Sequence, residues 1–419
     1  MYTNALRRYN QFSTKVEKIL KAYKFRLEPT RKQEKSLVDI AGSVRFIWNK
    51  ALGMNLRRLE DKQKILWRDE LSFWLTLWKE SEEYSFLKVA DSQALQQKLM
   101  DLDRAFKDAF DKKQPLKRIP VFKRKGQSDS FRYPQRFKID QDKRTVYLPK
   151  IGHVEYRKSR NIDLEQAEIR SMTISKKGQH WFVSILVNEE NKLKEHTNSS
   201  LVGIDMGVKK IVSLSTGKQF EPVDSFKTNK TRLAKMQRQL KRKTKFSSNW
   251  KRLQKKIAKL HIRIANIRHD YLHKISAEIS KNHAIVAIED LKVKNMTKSA
   301  KGNADKHGKK VKQKSGLNRA ILDQGWGIFF SQIEYKQAWR KGIVVAVPPK
   351  NTSRECPCCN HVSAENRMTQ AEFVCVECGY ENNADIVGAL NVAARGHRVL
   401  ACGSSLAVTK AGSRNLRSL

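Results

Sequence analysis

The spacing of apolar positions divides the N-terminal half of the chain into three segments. Residues 21–28 (KAYKFRLE) alternate as a short strand, which Pro29 ends. From residue 31 to about residue 113, apolar residues recur every three or four positions, which predicts amphipathic helices. Between residues 120 and 190 the period is two, and this predicts a small basic β-domain of antiparallel strands that the first strand could join. The apolar positions of the helical segment include Leu37, Ile40, Val44, Ile47, Trp48, Leu95, Leu99, Leu102, Ala105 and Phe106.

The helical segment also contains Trp67, Trp74 and Trp78. We expect these side chains to fill the core between helices rather than to stack on nucleic-acid bases, because aromatic rings contribute large apolar area to a core.

The C-terminal half follows a polar linker at residues 191–200. Its apolar runs predict the strands LVGIDMG, KIVSLSTG and one near KQFEP, then a long helical region and the strand HAIVAIED. A basic stretch at 292–319 is predicted to lack regular structure, and a helix at 326–341, the strand IVVAVPP and a last helix from Asp385 follow. A strand meander followed by alternating strands and helices predicts a mixed sheet with helices on its faces. The tail from about residue 395 has no clear periodicity, so disorder is expected there.

Charge narrows the class of partner. The chain has 419 residues with 85 Lys and Arg against 42 Asp and Glu, a formal charge of +43. Residues 230–263 alone carry 14 basic side chains and no acidic one. So large an excess repels itself without a polyanion, which favours nucleic acid over the alternative of an anionic membrane surface. No apolar run is long enough to span a membrane, and the N-terminus lacks the apolar core of a secretory signal, so an intracellular protein is expected.

Four of the six cysteines form two tight pairs. Cys356 and Cys359 belong to CPCC, and Cys375 and Cys378 belong to CVEC, fifteen residues further on. Two CxxC knuckles at this spacing predict one tetrahedral Zn²⁺, which four thiolates close to substrate, so the zinc should be structural. We expect Cys358 to be a spare thiol, Cys402 to lie alone in the tail and His361 to be a surface residue. Cysteines used in this way indicate a reducing compartment.

Three acidic residues stand at the ends of predicted elements: Asp205 and Glu289 after buried strands, and Asp385 at the start of the last helix. Each alone has an ordinary explanation as a turn residue, a solvated side chain or a helix cap. Together, in this order, they would converge at one edge of an RNase H-like sheet. Such a cluster of carboxylates is what a two-metal site for phosphodiester cleavage requires.

The chain resembles the TnpB-type proteins, transposon-encoded RNA-guided nucleases related to type V CRISPR effectors. The resemblance extends over nearly the whole length and is most specific where the cysteine ribbon and the three acidic motifs occur in this order. The matching strings are KAYKFRLEPTRKQE, VRFIWNKAL, ALQQKLMDLDRAFKDAF, GIDMGVKK, RHDYLHKIS, VAIEDLKVKNM, DQGWGIFFSQIEYKQAWRKG, TSRECPCC and NNADIVGALN.

The resemblance implies an RNA-guided endonuclease that cuts double-stranded DNA beside a short target-adjacent motif. Asp205, Glu289 and Asp385 would hold Mg²⁺, expected as two ions with Mn²⁺ able to substitute, which activate water and stabilise the departing 3′ oxygen. The implied partners are a guide RNA derived from the transposon end and the double-stranded target, with no membrane. A monomer is expected, in the cytoplasm of a prokaryote and on the nucleoid when bound.

The implied fold is a multidomain α/β and α+β protein. It combines an RNase H-like RuvC nuclease domain containing an inserted zinc ribbon with a β-barrel-like wedge domain interrupted by a helical recognition lobe. The expected bounds are 1–30 and 116–195 for the wedge, 31–115 for the recognition lobe, 196–350 for the first part of the nuclease, 351–381 for the ribbon, 382–395 for the last nuclease helix and 396–419 for a disordered tail. Within the nuclease, 229–283 is the basic helical hairpin and 292–319 a loop resembling the lid of relatives.

Nucleic-acid contacts are predicted at Gln96 and in the hairpin. Gln96 could read a base edge, since its amide both donates and accepts, but an ordinary exposed helical residue fits equally well. The predicted hairpin contacts are Lys241, Arg242, Lys243, Lys255 and Lys256.

Two other functions stay open from the sequence. An RNA-guided DNA-binding repressor would have the same architecture without cleavage, although the presence of all three acids argues against it. A DNA transposase could use the same RNase H-like acids, and the absence of a bound RNA would distinguish it.

Overall fold

We describe a computed structural model of the chain at residues 18–114, 117–127, 129–193, 195–196, 199–302 and 307–402. The predictions for residues 1–17 and for the end of the tail, 403–419, lie outside the described residues. The described chain forms two compact units that divide between Asn191 and Lys192. No helix in the part that the structure describes is long and apolar enough to cross a membrane.

The N-terminal unit contains a seven-stranded antiparallel sheet with the strand order β2-β6-β7-β1-β5-β4-β3. The strand that precedes the helices, β1, lies inside this sheet between β7 and β5. The chain therefore leaves the sheet after one strand and returns to it after the helical segment. The strands are β1 Lys18–Glu28, β2 Ser130–Tyr133, β3 Lys138–Asp140, β4 Thr145–Leu148, β5 Gly152–Arg157, β6 Glu168–Lys177 and β7 His180–Glu190.

In the described residues between β1 and β2 there are three α-helices and one 3₁₀ helix, Glu82–Val89. The α-helices are α1 Arg31–Glu60, α2 Arg68–Glu80 and α3 Ser92–Phe110. Thr30 and Gln33 form a capping box at the start of α1, which satisfies two backbone N–H groups that the first turn leaves free. The apolar stripes of the helices share one continuous core with the sheet.

The prediction for the three tryptophans is right for one of them. Trp78 is 5% exposed and belongs to the core, whereas Trp67 and Trp74 are 37% and 38% exposed. Trp74 and Trp78 both lie on α2, but the other helices cover only one stripe of that helix, so the side chain outside the stripe stays partly in solvent.

The C-terminal unit contains a five-stranded mixed sheet with the order β10-β9-β8-β11-β12. The strands β8, β11 and β12 are parallel, and β9 and β10 are antiparallel additions beside β8. Their bounds are β8 Leu201–Asp205, β9 Val212–Leu214, β10 Gln219–Phe220, β11 Ile285–Glu289 and β12 Ile343–Val347. A further two-stranded sheet consists of β13 Glu372–Val374 and β14 Glu381–Asn383.

The helices of this unit cover both faces of the mixed sheet. Val286 and Ile288 of β11 share a core with helices on one face, and Ile285 and Ala287 share another with the last helix. Burial on both faces explains why residues 285–288 of β11 are all apolar, because the side chains on each face enter a core. The helices are α4 Ser225–Lys241, α5 Ser248–Asn282, α6 Val293–Met296, α7 Val311–Gln324, α8 Trp326–Trp339 and α9 Ala384–Ala401.

Two predictions about this unit are wrong. Residues 292–319 are not without structure throughout, because α6 and the first part of α7 lie within them. Ile321 of α7 enters the core of the unit, and this tertiary contact stabilises a helix too short to be stable alone. The last helix also continues to Ala401, beyond the expected boundary at residue 395, because Val399 and Leu400 pack against the sheet core.

Candidate active site and metal centre

Two of the three acidic residues end neighbouring parallel strands. Asp205 is the last residue of β8, and Glu289 is the last residue of β11. The two strands run in register, with Ile204 opposite Ile288. Because parallel strands end at the same edge of a sheet, the two acids are neighbours there.

Strand alternation sends both acids to the face that α9 covers. On β8, Gly203 shares this face with Asp205, since side chains two residues apart point the same way. A Cβ atom at Gly203 would lie 2.1 Å from the carbonyl oxygen of Ala389 on α9, so only glycine permits this close approach. On β11, Ala287 shares the face with Glu289 and lies against Gly396 of α9.

The third acid, Asp385, lies in the first turn of α9. The helix cap is Asn383, whose side-chain oxygen accepts hydrogen bonds from the N–H groups of Asp385 and Ile386 at 3.1 and 3.3 Å, so the Asp385 carboxylate is not used as a cap. Gly388, one turn further on, lies beside Asp205, and a Cβ atom added there would be 3.2 Å from the Asp205 carboxyl carbon. Residues three apart share a helix face. The structure therefore brings all three predicted acids together.

The electrostatics of this cluster favour a cation. Burial, followed by the negative charges of Glu289 and Asp385, raises the pKa of Asp205 to about 7. Burial also raises the pKa of Glu289, while a hydrogen bond from Thr352 and the charge of Arg395 oppose the rise. Desolvated carboxylates close to one another destabilise each other's ionised forms, and a divalent cation would relieve this.

Three polar side chains that the sequence analysis did not select surround the acids. The Thr352 hydroxyl donates to Glu289 Oε1 at 2.6 Å, and Asn391 Nδ2 of α9 holds the Thr352 backbone by donating to its carbonyl oxygen at 2.8 Å. Arg367 Nη2 lies 3.1 Å from Asp385 Oδ1. The buried Asn391, at an otherwise apolar helix position, is the one sequence signal that could have revealed this network.

The four predicted cysteine ligands form one compact group. The Sγ atoms of Cys356 and Cys378 are 3.6 Å apart, as are those of Cys359 and Cys375, and all four lie within 4.8 Å of one another. Four thiolates at about 2.3 Å from one Zn²⁺ would be about 3.8 Å apart, so the arrangement fits that ion. The remaining cysteines, Cys358 and Cys402, are exposed.

The ionisation of Cys375 fits this arrangement. Although burial opposes its ionisation most strongly, backbone N–H groups of Cys378 and Glu377 and neighbouring thiols lower the pKa of Cys375 to about 6. Although backbone hydrogen bonds at His361 and Tyr380 oppose the rise, burial and neighbouring thiols raise the pKa of Cys359 and Cys378. Four thiols this close therefore do not all ionise without a cation, and zinc binds the thiolate form.

Within the described residues, the three acids do not form a group as tight as the four thiols. A single ion needs its ligands around one point, whereas the ligands of two ions about 4 Å apart are spread more widely.

The cysteine ribbon is joined directly to the acidic cluster. Phe373 of the ribbon shares a small core with Ala384 and Val387 in the first turn of α9. The strand β14 ends at Asn383, the cap of that helix, and Arg367 reaches Asp385 from within the ribbon. The fold of the ribbon therefore sets the position of Asp385.

A buried carboxylate holds the start of the basic hairpin. Asp323 of α7 accepts hydrogen bonds from the N–H groups of Phe226 and Lys227 at the start of α4, and its Oδ1 lies 2.9 Å from Arg268 Nη2 of α5. An acceptor at a helix N-terminus also meets the positive end of the helix dipole. No local pattern in the sequence distinguishes Asp323, since its partners are distant in the chain.

The predicted nucleic-acid contacts are all exposed. The five hairpin cations lie on α4, on α5 and in the turn between them, and Gln96 lies on α3 of the N-terminal unit. The hairpin cations that were predicted are Lys241, Arg242, Lys243, Lys255 and Lys256.

Three family models match parts of the chain. Residues 184–300 match the OrfB_IS605 model, described as a probable transposase, and residues 326–392 match the Cas12f1-like TNB domain. Residues 19–64 match a model described as a helix-turn-helix domain of OrfB_IS605 proteins, although this segment contains β1 and the single long helix α1.

Two relatives match over almost their whole length. The chain is 47% identical over 386 residues to the "Putative RNA-guided DNA endonuclease InsQ" of Escherichia coli (strain K12), covering 92% of this chain and 94% of the relative. It is 32% identical over 406 residues to a "Putative RNA-guided DNA endonuclease" of Streptomyces pristinaespiralis, covering 96% of each. Among solved structures, Cas12f1 in complex with sgRNA and target DNA matches with a TM-score of 0.53 at 14% identity, covering 90% of this chain and 99% of that one. This last match shows similarity of fold.

Proposed function

Since the chain belongs to the TnpB/OrfB_IS605 family, we propose that it is an RNA-guided endonuclease that cuts double-stranded DNA. The observation that carries the proposal is the convergence of Asp205, Glu289 and Asp385 at one edge of the mixed sheet. Relatives that match over more than nine-tenths of their length are named as endonucleases of this kind.

In this proposal the C-terminal unit is an RNase H-like RuvC nuclease with an inserted zinc ribbon. Its support is the strand order, in which an antiparallel meander is followed by parallel strands with helices on both faces. In the N-terminal unit, the seven-stranded sheet would be the wedge domain and α1–α3 the recognition lobe. Gln96 on α3 is the proposed reader of a base beside the target.

The three carboxylates are the proposed Mg²⁺ ligands, with Mn²⁺ as a substitute. Mg²⁺, when bound, supplies Lewis-acid stabilisation of the attacking water and of the departing 3′ oxygen. The donor set fits, because hard divalent cations prefer carboxylate oxygens and the partly buried Asp205 lies close to two further acids.

The chain's own polar groups would hold these ligands in place. The Thr352 hydroxyl fixes the orientation of Glu289, and Asn391 fixes Thr352 from α9. Arg367 balances the charge of Asp385. Orientation of a ligand by hydrogen bonds, as Thr352 provides for Glu289, is typical of metal sites, where the loss of such a hydrogen bond weakens metal binding.

The four thiols would bind one structural Zn²⁺, and the basic hairpin would bind the phosphate backbone of nucleic acid. The proposed partners are a guide RNA from the transposon end and its matching DNA. In this division of labour, base pairing selects the sequence and the protein recognises backbone shape and charge.

The test begins with the RNA that co-purifies with the protein. That RNA is sequenced, a DNA duplex matching it is prepared, and cleavage by the ribonucleoprotein is measured with Mg²⁺. We expect Asp205→Ala and Glu289→Gln to abolish cutting and Asp290→Asn to retain it. Asp290 is a matched control because it follows Glu289 directly but is exposed and paired with Lys292. Equal cutting by wild type and Asp205→Ala would refute the proposed site.

The family description as a probable transposase supports a second candidate, a DNA transposase using the same acids. The same preparation separates the two, because a conventional transposase should carry no discrete RNA. Binding of the guide-matched DNA without cleavage in Mg²⁺ would instead indicate a repressor.

A further inference from the structure

The tip of the basic hairpin lies beyond the hairpin's own core. Leu233 of α4 packs with Ile257, Leu260 and Ile264 of α5, and this contact holds the two helices together. Leu240 and Leu253 also pack against this core, and the turn at 242–247 follows α4 beyond them. The side chains of this turn are therefore not needed to hold the two helices together.

An aromatic ring stands in solvent at this tip. Phe246 is 64% exposed and has a φ of +68°, in the left-handed region that glycine or asparagine normally occupies. Its ring centroid is 5.5 Å from that of Trp250, and the Lys245 ammonium lies 5.4 Å from the Phe246 ring. A large apolar side chain that is mostly exposed in an unfavourable backbone conformation adds little to the core of the hairpin, which points to a binding role.

A cationic cleft lies at the same end of the hairpin, and its lining includes Lys243 and Asn249, three residues before and after Phe246. It has a volume of about 400 Å³, within the range of ligand sites, and Leu253 forms part of its wall. No acidic residue occurs between residues 225 and 269, and within the described parts of the chain none of the four cations of the cleft forms an ion pair with a carboxylate. The cleft can therefore neutralise an external anion. Its polar lining consists of Gln239, Arg242, Lys243, Asn249, Arg252 and Lys256.

We propose that the hairpin tip captures one unpaired nucleotide, with its base stacked on Phe246 and its phosphate in the adjoining cleft. An aromatic face next to a cationic groove is the arrangement with which proteins hold single-stranded nucleic acid. A base inside a duplex has both faces covered by its neighbours, so an exposed ring selects unstacked bases. The proposal rests on the proposed function only in taking nucleic acid as the partner, and it is independent of cleavage.

The unpaired nucleotide could belong to RNA or to DNA, and photocrosslinking distinguishes these sources. The full-length protein, freed of bound RNA by high-salt washing, is mixed with a decamer of 5-iodouridine, with its deoxy counterpart, or with the deoxy decamer annealed to its complement. After irradiation, crosslinked peptides are identified by mass spectrometry. We expect crosslinks at Phe246 or Trp250 from a single strand and not from the duplex. The decamer with the higher yield identifies the source.

Variants at the ring separate stacking from simple apolar contact. In about 0.3 M salt, which weakens nonspecific backbone binding, Phe246→Leu should reduce affinity for the preferred decamer about tenfold, and Phe246→Tyr should stay within about twofold of wild type. Lys259→Ala, an exposed hairpin cation outside the cleft, serves as the charge control and should lower affinity less than Arg252→Ala.

No crosslink at Phe246 or Trp250 from either decamer, or an equal yield from the duplex, would overturn the proposal. So would a Phe246→Leu variant with wild-type affinity. If these results accompany normal cleavage of guide-matched DNA, only the hairpin proposal fails. If the crosslinks form but Asp205→Ala cuts as wild type does, only the proposed nuclease site fails.

Discussion

Removing the charge of Asp205 should stabilise the metal-free protein while it abolishes cleavage. In the folded chain, burial and the charges of Glu289 and Asp385 raise the pKa of Asp205 from 3.8 to about 7. Because the folded-state pKa is the higher one, the unfolded chain releases this proton at lower pH than the folded chain does. The free energy of unfolding therefore falls as pH rises from about 4 to about 7. Above pH 7, the whole contribution from the protonation of Asp205 has been lost.

The size of this effect follows from the pKa difference. A shift of about three units corresponds to about 4 kcal/mol, since each unit is about 1.4 kcal/mol. Because Asp205 is only partly buried and keeps some exposed area, solvent screening lowers the expected value to on the order of 2–4 kcal/mol. Asp205→Asn keeps the shape of the side chain and removes the charge, so its C-terminal unit should unfold at least about 4 °C higher at pH 8. At pH 5 less than half of this gain should remain.

The assay is thermal unfolding followed by circular dichroism at pH 5 and pH 8, using RNA-free protein. Buffers are cleared of divalent ions with a chelating resin, and EDTA is omitted so that the ribbon keeps its zinc. Added Mg²⁺ should stabilise the wild type more than the variant, because only the wild type has the full ligand set. The exposed Asp290 provides the control, and Asp290→Asn should change unfolding by no more than about 0.5 kcal/mol at either pH. An Asp205→Asn protein that is less stable than wild type at pH 8, or a difference that is the same at both pH values, would refute this reasoning.

Three further predictions concern the groups around the acids. Cys375→Ser should release the zinc and lower the melting temperature, whereas Cys358→Ser should keep one zinc per chain, as measured by atomic absorption. Zinc retained by the Cys375→Ser protein would contradict the ligand assignment. Arg367→Gln removes a cation from beside Asp385, so the Mg²⁺ concentration for half-maximal cleavage should fall severalfold. An unchanged concentration would show that the Arg367–Asp385 ion pair does not compete with the metal. Thr352→Val removes a hydrogen bond that lowers the pKa of Glu289, so the acid limb of the cleavage pH profile should move to higher pH. Thr352→Ser should leave the profile in place, and identical profiles for the two variants would rule out this role.

Much of the molecule could be predicted from local sequence. The alternation of residues 21–28 and the runs around Asp205 and Glu289 predict strands that the structure contains, because buried strands need apolar side chains at defined periods. The thiol group was also predictable, since two knuckles at this spacing can meet around one ion. The weaker predictions lay where tertiary contacts override local preference, as in α7 and at the end of α9.

The sequence alone was enough to select the three acids and the four thiols as candidate metal ligands. Each acid stands at the end of a recognisable element, and each thiol lies in a knuckle of known spacing. Only the tertiary structure decided what surrounds them. Thr352, Arg367 and Asn391 come from separate segments, and no periodicity links them to Glu289 or Asp385. The raised pKa of Asp205 likewise exists only in the folded chain, because desolvation and neighbouring charges arise when β8, β11 and α9 pack together.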